Sequence, residues 1–227
     1  MISHQHKCIF IHIPKCAGSS IKEFLFRDQK FDWKIADYEH LYGWCPKRKI
    51  HLQHATSEQL IETNLISPKI WKEYFKFTVV RNPWDRAYSD YMWLQKDRKI
   101  KGSFKEYIFN LGAFENILID NSTKEFRGDH KTPQTDFFDI KGTYELDFIG
   151  RFESLYETIN ELKNTLLIPY EFKSHVKKNK NRVKKYQYFY NNQKRKWIQE
   201  VYANDIHLLN YKYETVPIFE KIKSKFK

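Results

Sequence analysis

The sequence predicts an α/β protein: a three-layer domain with a mostly parallel central sheet. Three observations carry that prediction. Strand-like and helix-like patterns alternate along the chain. The first apolar run, KCIFIHI (residues 7–13), is hydrophobic at nearly every position, as a strand covered on both faces requires. The 227 residues are 41% hydrophobic and 17% aromatic, enough for one sizeable core, and no internal repeat or linker divides them. One domain over residues 1–227 is the expectation.

The elements follow in order. Residues 7–13 form the first strand, and Pro14 to Ser19 turn the chain into a helix whose Ile21, Phe24 and Leu25 share one face. An aromatic connection through Trp33, Tyr38, Tyr42 and Trp44 leads to a second short strand over 49–55 (KIHLQHA). Thr56 and Gln59 then have the spacing of a capping box at the start of a helix. The third strand, over 73–81 (EYFKFTVVR), is the clearest. Asn82 can cap the helix after it, and Pro83 suits the first helical position because no N–H is needed there. That helix runs over 83–97 and carries Trp84, Tyr88, Tyr91 and Trp93.

Beyond it a helix is expected around SFKEYIFNL, then a turn-rich stretch containing GDHKTPQTD, a fourth strand over 147–153 and an amphipathic helix, SLYETINELKNTL. A basic segment, 173–185, precedes a C-terminal helix over 191–209. The basic run reads as a solvated loop, as a flap over an anionic ligand, or as the track for an acidic acceptor.

Lys plus Arg number 40 against 28 Asp plus Glu, a formal net charge of +12. That balance favours anionic partners, whether nucleic acid, a phosphorylated cofactor, an acidic polysaccharide or a membrane surface, without choosing among them. Cys8, Cys16 and Cys45 are odd in number and lack a CxxC pair, so neither a disulfide framework nor a zinc site is expected. His4, His6 and Cys8 alternate like a metal trio, but a partly solvated chain end explains them better. No apolar run approaches the ~18–20 residues of a membrane span, and the first residues read as a strand, so no leader segment is expected. A soluble, cytoplasmic protein is expected.

The loop after the first strand carries the functional signal. Ala17, Gly18, Ser19 and Ser20 have little bulk, so backbone amides there can wrap an anion at a helix N-terminus, and Lys15 would add a point charge. The Walker order GxxxxGK[ST] is absent, which removes support for magnesium-dependent nucleotide hydrolysis. An ordinary turn with a surface lysine is the plain alternative. A second element points the same way: Arg81 closes the third strand, and Ser89 lies two turns into the next helix. An arginine fork and a serine hydroxyl can grip one phosphate from two sides. Two grips on neighbouring strand-helix units suggest a ligand with two separated phosphates. The competing reading makes Asp85 and Arg86 surface ion pairs on a capped helix, and leaves Arg81 and Ser89 without a purpose.

HIPKCAGSS, HATSEQL, EYFKFTVVRNPWDRAYSDY, PQTDF and DFIGRFESL, in this order and spacing, resemble the pattern of sulfotransferase family 2 over about residues 8–215. That family is related to carbohydrate O-sulfotransferases. The commoner loop has threonine where Cys16 stands. The resemblance implies a P-loop NTPase-like sulfotransferase fold and 3′-phosphoadenosine 5′-phosphosulfate (PAPS) as donor. It places the 5′-phosphosulfate on Lys15, Cys16, Ala17, Gly18, Ser19 and Ser20, and the 3′-phosphate on Arg81 and Ser89. Lys15 would stabilise the leaving phosphate. His54, in the stretch matching the family's histidine, would be the base for an acceptor hydroxyl, which the resemblance makes that of a glycan or glycoconjugate. No metal and no nucleic acid are expected. His12 reads as a core histidine that could support the loop, and Arg151 with Glu153 as rim residues or a buried pair.

Two other classes compete. A basic nucleic-acid-binding protein would use the +12 charge, but no recognition module is present and the charge concentrates late in the chain. An ATP-dependent phosphotransferase lacks its Walker lysine and a clear magnesium carboxylate.

Overall fold

The structure, a computed structural model, describes residues 1–172 and 186–215. The basic segment 173–185, including Arg182 and Lys185, lies outside the described residues.

The central sheet has four strands in the order β1 (Ile2–Ser3), β2 (Cys8–Ile11), β5 (Phe75–Val80) and β6 (Phe148–Arg151). β2, β5 and β6 are parallel, with Cys8 opposite Phe75 and Phe77 opposite Phe148, while β1 is an antiparallel edge. Side chains alternate across β2. Cys8 and Phe10 join Phe77 and Val79 under helices α1 (Gly18–Leu25) and α7 (Leu155–Thr165), through Ile21, Phe24, Leu25, Ile159 and Leu162. Ile9 and Ile11 face the other layer with Val80, where Leu60 of α2 (Ser57–Glu62) and Leu209 pack. Both faces are covered, which is why the strands read as continuous apolar runs.

The expected strand over 49–55 is corrected. β2 pairs directly with β5, so the sheet has no place for a strand between them. Only Ile50–His51 (β4) is extended, and it pairs antiparallel with Trp44–Cys45 (β3) in a separate two-stranded ribbon. Leu52–His54 then form a 3-10 turn, held where the amide of Gly43 donates to Gln53 Oε1 at 2.8 Å. The helix start beyond it is as expected: Thr56 and Gln59 make both bonds of a capping box.

Helix α3 (Pro68–Glu73), missed in the sequence, is capped by Ser67 and leads into β5. Helix α4 (Pro83–Asp97) matches its expected range, and Asn82 accepts from the Trp84 amide. Its Trp84, Tyr91 and Leu94 pack against α5 (Phe104–Phe109), α6 (Glu115–Ile119) and α8 (Asn192–Val201) in a third cluster. The C-terminal helix is two helices. α8 ends at Val201, Tyr202 separates it from α9 (Ala203–Leu208), and Asp205 accepts from the amides of Gln134 and Thr135, both at 2.9 Å.

Gln134, from the PQTDF stretch, ties these parts together. Its amide pairs with both backbone groups of Arg81, each at 2.8 Å, and its Oε1 takes the Cys16 thiol at 3.4 Å. Gln134→Leu leaves the buried N–H and C=O of Arg81 unpaired. At ~1–3 kcal/mol per orphaned group, a loss of about 3 kcal/mol and a midpoint lower by roughly 6–12 °C is expected. Thermal denaturation checks this; an unchanged midpoint would show that the hub is dispensable.

Candidate active site

The loop from β2 into α1 departs from ordinary turn geometry. Lys15 and Ala17 sit in the left-handed region, at φ 69° and 68°. Neither is glycine, so each carries strain of about 1 kcal/mol, of the kind that collects at functional sites. α1 has no side-chain cap at Ala17, and the amides of Ala17, Gly18 and Ser19 have no partner among the described residues. Unpaired amides at a helix start form an anion-binding concavity.

Gly18 is required here for space. A Cβ on it would lie 1.6 Å from Nε2 of His12. His12 therefore floors the loop, stacked on Phe10 and edge-on to His54 at 4.8 Å. It is not the satisfied core histidine the sequence suggested, because its buried Nδ1 has no partner. Burial holds its pKa well below 6.5, and the neighbouring His54 pushes the same way.

A cleft of about 470 Å³ opens over this loop. Lys15, Ala17, Gly18, Ser19, Ser20, His54, Arg81 and Ser89 all line it. Cys16 is the correction. It is absent from the lining, its amide donates back to Ile13 at 3.3 Å, and its thiol points into the core toward Pro14 and Gln134. Burial pushes that thiol up to about 12. Its neighbours offer backbone to the cleft; Cys16 offers packing. The Ser20 amide is likewise committed, to Ala17 at 2.9 Å.

Arg81 is buried and tightly held. Nε donates to Asp85 Oδ2 at 2.8 Å, Nη2 lies 2.7 Å from the same oxygen, and Nη1 donates to the Lys15 carbonyl at 2.8 Å. Three of the five guanidinium N–H groups are thereby used, leaving two for a ligand. The Lys15 bond joins the two predicted phosphate grips directly. The Ser89 hydroxyl has no hydrogen-bond partner among the described residues, and Ser89 shares a helical stripe with Asp85 and Trp93. Asp85 and Arg86 are not surface pairs, as the competing reading had them. Arg86 is buried and donates to the carbonyls of Pro14, Thr132 and His130 at 2.9–3.1 Å, so it fixes the loop against the 130 segment.

That segment supplies what the sequence did not show. His54 Nδ1 lies 2.5 Å from Asp129 Oδ2. Asp129, held far below the usual carboxylate range despite burial, by His54 foremost, can only accept, so Nδ1 carries the proton and Nε2 is the free base. Burial lowers the pKa of His54, and Asp129 opposes that. Burial also lowers that of Lys15, against the pull of Asp90. One residue further, His130 Nδ1 is 2.6 Å from Asp90 Oδ1. The signal available in the sequence was only a pair of adjacent ionisable residues, GDH, in a turn-rich stretch.

Among the described residues, the cleft lining holds five cations, Lys15, Lys22, Arg81, Arg98 and Arg127, and no carboxylate. That excess suits an anionic ligand. Trp33 and Trp93 also face it, whereas Trp44 and Trp84 are buried in the core. Tyr186 packs with Tyr190 away from the cleft. Arg151 and Glu153 do not pair with each other. Arg151 donates to Leu209, and Glu153 accepts from the Asn82 amide and the Tyr211 hydroxyl, so both anchor the C-terminal segment.

Residues 1–212 match the family model for the sulfotransferase family. The chain belongs to that family. Neither the curated proteins nor the solved structures contain a match to it. Membership supports an enzyme of sulfuryl transfer, and sulfotransferases generally take PAPS as donor. In this family member the cleft brings together the strained loop, Arg81 and the His54–Asp129 pair. No helix among the described residues is long and apolar enough to cross a membrane.

Proposed function

We propose that this sulfotransferase moves the sulfuryl group of PAPS to a carbohydrate hydroxyl, within one domain spanning the chain. The observation that carries the proposal is the convergence of two anion grips and a carboxylate-backed histidine on one cleft. The 5′-phosphosulfate lies on Lys15, the free amides of Ala17, Gly18 and Ser19, and the side chains of Ser19 and Ser20. The 3′-phosphate takes the two remaining N–H groups of Arg81 and the Ser89 hydroxyl.

In the reaction the acceptor oxygen attacks sulfur as its proton passes to His54 Nε2. The bond from sulfur to the bridging phosphate oxygen breaks, and adenosine 3′,5′-bisphosphate leaves with the electron pair. Lys15 and the loop amides meet the charge that grows on that phosphate. Asp129 holds the imidazole in the tautomer that accepts. The rest is alignment of two bound reactants. The carbohydrate acceptor rests on the relatives of the family alone.

A thermal-shift titration with adenosine 3′,5′-bisphosphate, ATP and AMP tests the donor. Binding to the native state raises the midpoint as occupancy rises. The bisphosphate is expected to stabilise most, and Arg81→Ala to abolish the preference. Equal response to all three nucleotides would overturn the PAPS reading. Steeply salt-dependent nucleic-acid binding without a bisphosphate response would favour the competing class.

A further inference from the structure

The cleft contains a second carboxylate-backed histidine that the proposed reaction leaves without a task. His130 lines the cleft beside His54, with ring centroids 5.4 Å apart. Its Nδ1 is held by Asp90, itself buried and fixed by the Tyr107 hydroxyl at 3.1 Å. Its ring is stacked on Trp93 at 5.2 Å, and the Lys15 ammonium lies 4.8 Å from the same indole. Arg86 fixes the backbone of His130 through its carbonyl. The Asp90 bond and the Trp93 stack thus oppose rotation of the ring.

Because each Nδ1 is committed to a carboxylate, the nitrogen left to the cleft is Nε2 in both rings. Neither Nε2 makes a hydrogen bond among the described residues, and neither is a buried orphan. A ring nitrogen of each histidine and an oxygen of Asp129 lie within 4.8 Å of one another. The two rings meet edge to face with centroids 5.4 Å apart, near enough for two hydroxyl oxygens on adjacent ring carbons to approach one ring each at about 2.8 Å.

We propose that His130 accepts a hydrogen bond from the hydroxyl next to the one His54 deprotonates, so that the acceptor is read as a vicinal diol. The inference rests on the sulfuryl-transfer reading above and narrows its acceptor. Held between His54 and His130, the diol has its reacting oxygen fixed in position. An acceptor lacking the neighbouring hydroxyl loses that hold and leaves Nε2 of His130 unpaired in a partly dry site. Sites built to bond a hydroxyl discriminate strongly against its absence.

The test uses the full chain, PAPS labelled in the sulfuryl group, and methyl pyranosides of gluco, galacto and manno configuration with their uronic acids. Each is paired with its monodeoxy derivatives. Wild type is expected to label at least one diol, and to prefer it over the matching monodeoxy sugar by ~10–100-fold in kcat/KM. His130→Ala is expected to raise the acceptor KM and shrink that preference to about threefold or less. His130→Gln, which keeps an acceptor oxygen, should restore part of it. A merely structural role would lower the melting midpoint without changing the ratio. Four outcomes overturn the inference: a preference that survives His130→Ala, a His130→Ala variant as inert as His54→Ala on every sugar, stoichiometric metal whose chelation stops transfer, or no labelled diol. Bisphosphate stabilisation, measured on the same samples, separates these from failure of the donor reading.

Discussion

His54→Ala is expected to lower kcat by ~10²–10⁴-fold, the usual contribution of a general base, with adenosine 3′,5′-bisphosphate binding unchanged. The acceptor proton then has no positioned destination, while Lys15, Arg81 and the loop amides keep their places. The pH profile adds an independent reading. Only neutral His54 accepts a proton, so activity is lost as pH falls through its pKa. Burial sets that pKa below the ordinary 6.5, so the acid limb of kcat/KM should lie below 6.5 and the plateau above it. Asp129→Asn removes the charge that holds the pKa up and the acceptor that fixes the tautomer. Its acid limb should move to lower pH while the plateau rate falls. An acid limb above 6.5 in wild type, or full turnover by His54→Ala, would dismiss His54 as the base.

The second large effect is expected from Gly18→Ala. The new methyl would lie 1.6 Å from Nε2 of His12 and about as close to its ring carbons, at 2.1 and 2.2 Å. His12 has little freedom to yield, since Phe10 stacks on one face and His54 meets its edge. Overpacking of this kind costs ~1–3 kcal/mol, and the loop can relieve it only by moving the amides that face the cleft. A lower unfolding midpoint and loss of bisphosphate stabilisation should therefore appear together. His12→Ala makes room, so Gly18→Ala with His12→Ala should cost less than the sum of the single changes. Strict additivity would show that the two positions do not compete for space.

Much of the fold was legible because its causes are local. The capping box at Thr56, the Asn82 cap with Pro83 after it, and the apolar runs of β2 and β5 each lie within a few residues. The strand read over 49–55 failed for a non-local reason: whether an extended segment joins a sheet depends on whether a neighbouring edge is free, and β2 had already taken β5. The break at Tyr202 was hidden likewise, because Asp205 turns toward a partner 71 residues away.

The site divides along the same line. Small residues after a buried strand, an arginine at a strand end and a histidine before a capped helix were written in the sequence, since each is the chemistry of one short segment. What only the tertiary structure decided was pairing. Asp129 reaches His54 across 75 residues and Asp90 reaches His130 across 40. Gln134 closes on Arg81 across 53, and Cys16 turns from the loop into the core. Spacing carries no information about such contacts, because they are set by the order of strands in the sheet and by which buried polar groups still lack a partner. The sequence determined which residues can meet an anion; the packed chain decided which carboxylate holds which histidine.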